Sequence, residues 1–219
     1  MISIRKGYFS YPPLNYSGRS LKGKLLRRSP AIIPPPVFSN LDFFADDGEI
    51  IGLSGHNGSG KTTLLKLIAG ILPFERGEIS LPKNSGCLID INMGIDLDYT
   101  GWEALRARAY TFGVKSCDIQ PFVEKAAEIS QLGNERLSHF VKSYSTGMQM
   151  RLGFSMAMVV EFDCLLLDEW LSVGDADYQQ YASSLLKEKI KQTPCVIIAS
   201  HSKDLLDDVC TRTVDVDSL

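Results

Sequence analysis

Residues 55–63 read Gly-His-Asn-Gly-Ser-Gly-Lys-Thr-Thr, the G-x-x-x-x-G-K-[ST] spacing of a phosphate-binding loop. Gly55, Gly58 and Gly60 let successive backbone N–H groups curl around phosphate oxygens, with Asn57, Ser59 and Thr63 completing the candidate nucleotide contacts. Lys61 supplies a mobile positive charge for the outer phosphates, and Thr62 a hydroxyl ligand for Mg²⁺. The flanks suit the motif. Residues 49–54 have the composition of a buried strand, and residues 64–69 that of a helix that Gly70 can stop. The start of that helix adds the positive end of its dipole. A nucleoside triphosphate is the expected ligand.

Two further places carry chemistry suited to that ligand. Residues 164–169, Cys-Leu-Leu-Leu-Asp-Glu, form an apolar strand ending in two carboxylates, at the edge where α/β sheets bind ligands. Asp168 can hold Mg²⁺ directly or through water, while Glu169 can polarise an attacking water. His201 stands just past the end of a second apolar strand, 195–200, from which it can reach the γ-phosphate. Tyr144-Ser145-Thr146-Gly147-Met148 opens another helix. A hydroxyl and a glycine at a helix start form a second phosphate-binding surface, though an ordinary N-cap by Ser145 or Thr146 satisfies the same residues. One chain cannot easily bring two such helix ends to one nucleotide, whereas a dimer can.

These side chains need a scaffold that delivers them to one place. An edge strand is expected at 1–4, then aromatic Tyr8, Phe9 and Tyr11, then an insertion over 14–36 ending in three prolines. Strand character resumes at 37–44, and Asp46-Asp47-Gly48 turns into the strand before the loop. Short strands are expected at 77–81 and 87–91, helices at 102–112, 118–132 and 146–160, and a strand leading to Asp168. A helix over 175–192, a strand at 195–200, a short helix at 202–210 and a last strand at 213–216 complete the order. The pattern is α/β: one domain with a core over about 1–90 and 160–219 and an inserted helical subdomain over about 95–159.

Composition narrows the class. Five cysteines, widely spaced and without a C-x-x-C pair, argue against a disulfide framework and a zinc site. Cys164 and Cys195 lie in apolar runs and are expected in the core of a protein kept in a reducing cytoplasm. No apolar run approaches the roughly 18–20 residues of a membrane-spanning helix, and no signal-peptide pattern opens the chain. The net charge of −3 hides an asymmetry: residues 1–41 hold seven Lys/Arg and no acid. Five of these fall between Arg19 and Arg28 among leucines, where they can meet anionic headgroups or simply face solvent.

In combination, the phosphate loop, helical block, Ser-x-Gly helix start, Leu-Leu-Leu-Asp-Glu strand and strand-ended His resemble an ABC transporter ATPase subunit. The resemblance covers about residues 37–212. Tyr144-Ser-Thr-Gly-Met148 is similar to the variant signature of the polysaccharide-exporting branch. So are the run from Asp168 through Val173-Gly174-Asp175-Ala176 and the segment Thr100-Gly101-Trp102-Glu103. The resemblance implies a P-loop ABC-ATPase core with a mixed sheet, ATP and Mg²⁺ as cofactors, and an ATP-sandwich dimer with a second copy. In that dimer Ser145 and Gly147 contact the partner's nucleotide, and Ser172-Val-Gly-Asp175 links the two sites. It further implies a peripheral subunit on the cytoplasmic face of the inner membrane, joined to an integral membrane permease that exports a lipid-linked glycan. Tyr11, with Tyr8 as rival, would stack on adenine. The family's glutamine-loop position carries no Gln; Asp90 is the nearest polar candidate for that metal-side role, and a one-residue offset puts Ile91 there. Trp102 stands where the branch has Arg, and no carbohydrate-binding domain is expected beyond Leu219.

The competing class is a soluble ABC-type ATPase acting on nucleic acid or ribosomes. Such proteins usually carry two cassettes or a long coiled coil, and neither is seen here. The acidic remainder of the chain also disfavours a nucleic-acid surface. Against a phosphate-loop GTPase or kinase, this chain has no Asn-Lys-x-Asp run for guanine, and that reading leaves the helical block with its Ser145–Gly147 helix unexplained.

Overall fold

The computed structural model describes residues 1–12, 34–88, 95–169 and 176–219. Along the chain come β1 (Ile2–Phe9), β2 (Phe38–Ala45), β3 (Ile50–Ser54), α1 (Lys61–Ile68), β4 (Arg76–Ser80) and β5 (Ser85–Leu88). Helices α2 (Gly101–Thr111), α3 (Ile119–Ser130), α4 (Gly133–Leu137) and α5 (Thr146–Val159) follow. The chain closes with β6 (Cys164–Asp168), α6 (Ala176–Gln192), β7 (Cys195–Ala199), α7 (Lys203–Val209) and β8 (Arg212–Asp215). Of the sequence expectations, Asp90, the 172–175 segment and the basic run from Arg19 to Arg28 lie outside the described residues.

The strands sort into two sheets. β5-β6-β7-β3-β8 is parallel throughout, and β2-β1-β4 is antiparallel. Both pairings of the expected mixed sheet are therefore present, but in separate sheets. Parallel strands are buried on both faces, which is why β6 and β7 read as continuous apolar runs. Side-chain alternation divides those runs between two cores. Leu166 and Ile197 face Leu64, Leu65 and Leu67 of α1 together with Ile4 and Phe43 of the antiparallel sheet. Leu165, Leu167, Val196 and Ile198 face Phe154 of α5, Tyr178 and Leu186 of α6, and Leu206 of α7. Each fully buried aliphatic side chain contributes about 1.5–3 kcal/mol, so both coverings of the central strands are strongly favoured.

The first strand is not the edge expected from the sequence: β1 runs to Phe9 and is the middle strand of its sheet, flanked by β2 and β4. Its second neighbour arrives from 75 positions further on at the pair Ile4↔Ile79, and alternation within one strand carries no trace of such a partner. Gly77 of β4 has a φ of 121°, and a Cβ there would lie 2.9 Å from the Arg5 carbonyl oxygen. Only glycine permits so close an approach.

The helical block has its own core, in which Leu105 and Ala109 of α2 meet Phe122, Val123 and Ala126 of α3 and Leu152 and Met156 of α5. Its first helix starts at a capping box. The Thr100 hydroxyl accepts the Glu103 N–H at 3.3 Å, and the Glu103 carboxylate accepts the Thr100 N–H at 2.8 Å. The Thr100 N–H and hydroxyl, both donating to the Glu103 carboxylate at 2.8 Å, hold that carboxyl below its usual range. Cys164 and Cys195 sit opposite each other on β6 and β7, fully buried and free. Among the described residues, no helix is long and apolar enough to cross a membrane.

Candidate functional site

The phosphate loop joins the carboxyl end of β3 to α1, and its shape depends on two glycines most of all. Gly55 has a φ of 142°, with the Ser59 Oγ 2.7 Å from where a Cβ would be. Gly60, at φ 105°, precedes α1 directly, and a Cβ there would press on Val37 and Phe38 at 3.0 Å. Asn57 and Gly58 form the exposed crest between them. Lys61 is buried, and its ammonium donates to the carbonyls of Gly55 at 2.7 Å and His56 at 3.1 Å. An ammonium has three protons, so one donor direction remains for a phosphate oxygen.

Sheet order brings the other groups to this loop. β6 lies one strand beyond β7, which pairs with β3. The Thr62 hydroxyl donates to Asp168 Oδ2 at 2.7 Å, across 106 residues of sequence. These two hard oxygen groups suit a small divalent cation, since Mg²⁺ takes one or two protein oxygens and completes its shell with phosphate and water. Tyr11 Oη lies 3.0 Å from Thr63 Oγ1, and its ring meets Phe9 edge-on with centroids 5.0 Å apart. The rival Tyr8 is covered instead by the Arg76 guanidinium, 5.3 Å from its ring centroid. Of the two aromatics, Tyr11 is the one held against the loop helix.

Glu169 follows β6 with a φ of 67°, a left-handed conformation that costs a non-glycine residue about 1–2 kcal/mol. Its N–H still pairs with the Ala199 carbonyl at 2.9 Å, so the turn begins on the strand edge itself. The carboxylate is thereby brought to β7: Oε1 lies 3.5 Å from His201 Nε2, and Oε2 accepts from the Ser200 hydroxyl at 3.5 Å. Glu169 and His201 are both about half exposed, open to a ligand from solvent. Ser200 is buried and lies outside the sequence candidates, although its place beside His201 was a signal for it.

Ser145 and Gly147 stand apart from this cluster. Ser145 caps α5, its Oγ accepting the Met148 N–H at 3.3 Å, so the ordinary capping function is met. Its side chain remains exposed, and α5 packs chiefly on α3 in the helical block. The residue before it is different. Tyr144 is buried, with its hydroxyl donating to the Arg136 carbonyl at 2.6 Å. A Cβ on Gly101 would lie 2.4 Å from that hydroxyl and 2.8 Å from Leu137 Cδ2. The Thr-Gly-x-Glu and Tyr-Ser-Thr-Gly segments are therefore in contact, and the glycine is dictated by the tyrosine. Gly101→Ala is expected to cost about 1–3 kcal/mol in urea unfolding through overpacking. Adding Tyr144→Phe should cost less than the sum of the two single changes; strict additivity would disprove the contact.

α6 ties the helical block to the core. The buried Tyr178 hydroxyl donates to the Ile129 carbonyl at 3.1 Å, and the Arg151 guanidinium of α5 lies 4.4 Å from the Tyr178 ring centroid.

The family described as ABC transporter matches residues 38–172. The O-antigen export system ATP-binding protein RfbE of Yersinia enterocolitica is 31% identical over 93% of this chain and 88% of its own length. The teichoic acids export ATP-binding protein TagH of Listeria innocua is 30% identical over 89% of this chain, which spans only 57% of that relative. Among solved structures, the dimeric ATP-binding cassette MJ0796 in a post-hydrolysis state with ADP and Pi superposes with a TM-score of 0.71. That match covers 98% of this chain and 94% of the other at 15% identity, and establishes a common fold.

Proposed function

The chain belongs to the ABC transporter family as an ATP-binding, ATP-hydrolysing subunit, and on that premise we propose that it powers export of a lipid-linked polysaccharide of the O-antigen, capsule or teichoic acid type. Cargo would pass through a separate membrane permease, with this subunit bound peripherally on the cytoplasmic face of the inner membrane. The observation that carries this reading is the 31% identity to an O-antigen export protein over 88% of that protein's length.

The chemistry assigned to each residue follows from its position. The loop amides of residues 57–62 and the remaining Lys61 donor grip the β- and γ-phosphates. Thr62 and Asp168 would hold Mg²⁺, which when bound draws negative charge from the phosphates. Glu169 accepts a hydrogen bond from the attacking water and orients it in line with the γ-phosphorus. His201, beside the same carboxylate, donates to the γ-phosphate and keeps the charge of Glu169 from closing the site to an anion. Tyr11 stacks on adenine with its hydroxyl tethered to Thr63. Ser145 and Gly147 of a second copy close the other side of the nucleotide. Binding then favours the closed dimer and hydrolysis the open one, a population shift transmitted to the permease.

The test is to express tagged Glu169→Gln protein in its native cell and purify it from detergent-solubilised membranes with ATP and Mg²⁺. Mass spectrometry should find a multi-spanning permease in equal amount, together with a glycolipid. Copurification with ribosomes or DNA-bound proteins, and no permease, would overturn the export reading.

A further inference from the structure

The peptide group between Gly55 and His56 is held at both ends. Its carbonyl accepts from Lys61 Nζ at 2.7 Å, and its N–H donates to Asp217 Oδ2 at 3.0 Å. The other carboxylate oxygen, Oδ1, lies 2.5 Å from His56 Nδ1. A trans peptide is planar, so its C=O and N–H point to opposite sides. Rotating the plane to release one partner releases the other. Asp217 is itself well anchored. It follows Val216, which is buried in the main core, and its N–H is accepted by Asp215 Oδ1 at 3.1 Å. Asp215 in turn is in register with Ser54, the last residue of the strand that feeds the loop. The turn after β8 and the phosphate loop therefore share one foundation.

On electrostatic grounds alone, a carboxylate beside a phosphate site is unfavourable, because two anions repel. Its placement asks for a compensating gain, and the bond to the loop N–H supplies one. The imidazole contact is less suited to that purpose: His56 is 71% exposed, and exposed ion pairs contribute little. The backbone bond accepts into a charged group and is the stronger of the two.

We propose that Asp217 is a positioning residue for the nucleotide: by accepting the His56 N–H it fixes the first peptide of the phosphate loop, and through it Lys61, in the orientation that receives phosphate. The proposal rests on the phosphate loop being the ATP site, and it adds to that site's machinery a residue from the turn after β8, the edge strand paired with β3.

The experiment is a Mg-ATP titration of the purified chain and two variants, with Lys61→Ala as control. Asp217→Ala should weaken binding about tenfold, the loss of one hydrogen bond to a charged group. Asp217→Asn keeps a carbonyl acceptor and should stay within about threefold of the parent. Equal or tighter binding by Asp217→Ala would mean that the carboxylate only repels phosphate, and would overturn the proposal. So would an Asp217→Asn variant as weak as Asp217→Ala. Weak binding by Lys61→Ala beside normal binding by Asp217→Ala removes the clamp alone; normal binding by both removes the phosphate-loop assignment itself. Amide exchange guards against a folding artefact. The His56 amide should be protected in the nucleotide-free parent and exposed in Asp217→Ala, with β3 and β7 unchanged. An unprotected His56 amide in the parent would also overturn the clamp.

Discussion

Replacing Glu169 by Gln should lower ATP turnover by about 10²–10⁴-fold, the span associated with a positioned general base. ATP affinity should stay within a few-fold of the parent. The separation follows from where the contacts lie. In the proposed site phosphate is gripped by the loop and by Lys61, whose own bonds run to the carbonyls of Gly55 and His56. The Glu169 carboxylate is bonded instead to Ser200 and His201 on the neighbouring strand. Glutamine keeps the length and one carbonyl oxygen of the side chain, so the left-handed backbone at this position has no new reason to change. It cannot accept a proton from water at neutral pH. With binding intact and hydrolysis blocked, ATP and Mg²⁺ should convert the variant to a dimer of twice the mass in light scattering, while the parent returns to monomer as ATP is consumed. A variant that turns over ATP at the parent rate would remove Glu169 from its role.

Lys61→Ala should raise the dissociation constant for ATP by about a hundredfold. The lost ammonium takes with it a charge-assisted bond of about 1.5–3 kcal/mol to phosphate, where 1.4 kcal/mol is a factor of ten. It also strands the carbonyls of Gly55 and His56, which then need other partners and let the loop relax. Arginine should not rescue it. The guanidinium is a planar fork and cannot place one proton on each carbonyl and one on phosphate from the buried position of a point charge. Titration with a fluorescent ATP analogue measures this directly, and parent-like affinity would refute the assignment.

Much of this protein is legible in its sequence. The phosphate loop could be read because its chemistry is local: glycines, a lysine and a hydroxyl must occur at set spacing for one turn to wrap a phosphate. The same holds for the stop at Gly70, whose φ of 71° ends α1 as expected, and for the turn at Gly48. Asp168 and Glu169 were visible as two acids closing an apolar strand. That Glu169 turns into a left-handed conformation and toward Ser200 and His201 was not visible, since a pair of acids has no signature for a backbone reversal.

Thr100-Gly101 and Tyr144 could be recognised separately, but only packing revealed that the glycine makes room for the tyrosine hydroxyl. β1 looked like an edge because nothing in its own eight residues records that β4, 75 positions later at Ile4↔Ile79, would pair on its open side. Asp217 comes to the loop only because β8 lies beside β3. Sequence alone determined the identity of the chemical groups and the local elements that carry them, because both depend on near neighbours in the chain. Tertiary structure decided which groups meet. Register, strand order and the burial of Val216 bring together residues 106 and 161 positions apart, Thr62 with Asp168 and His56 with Asp217, and no local pattern encodes contacts at that range.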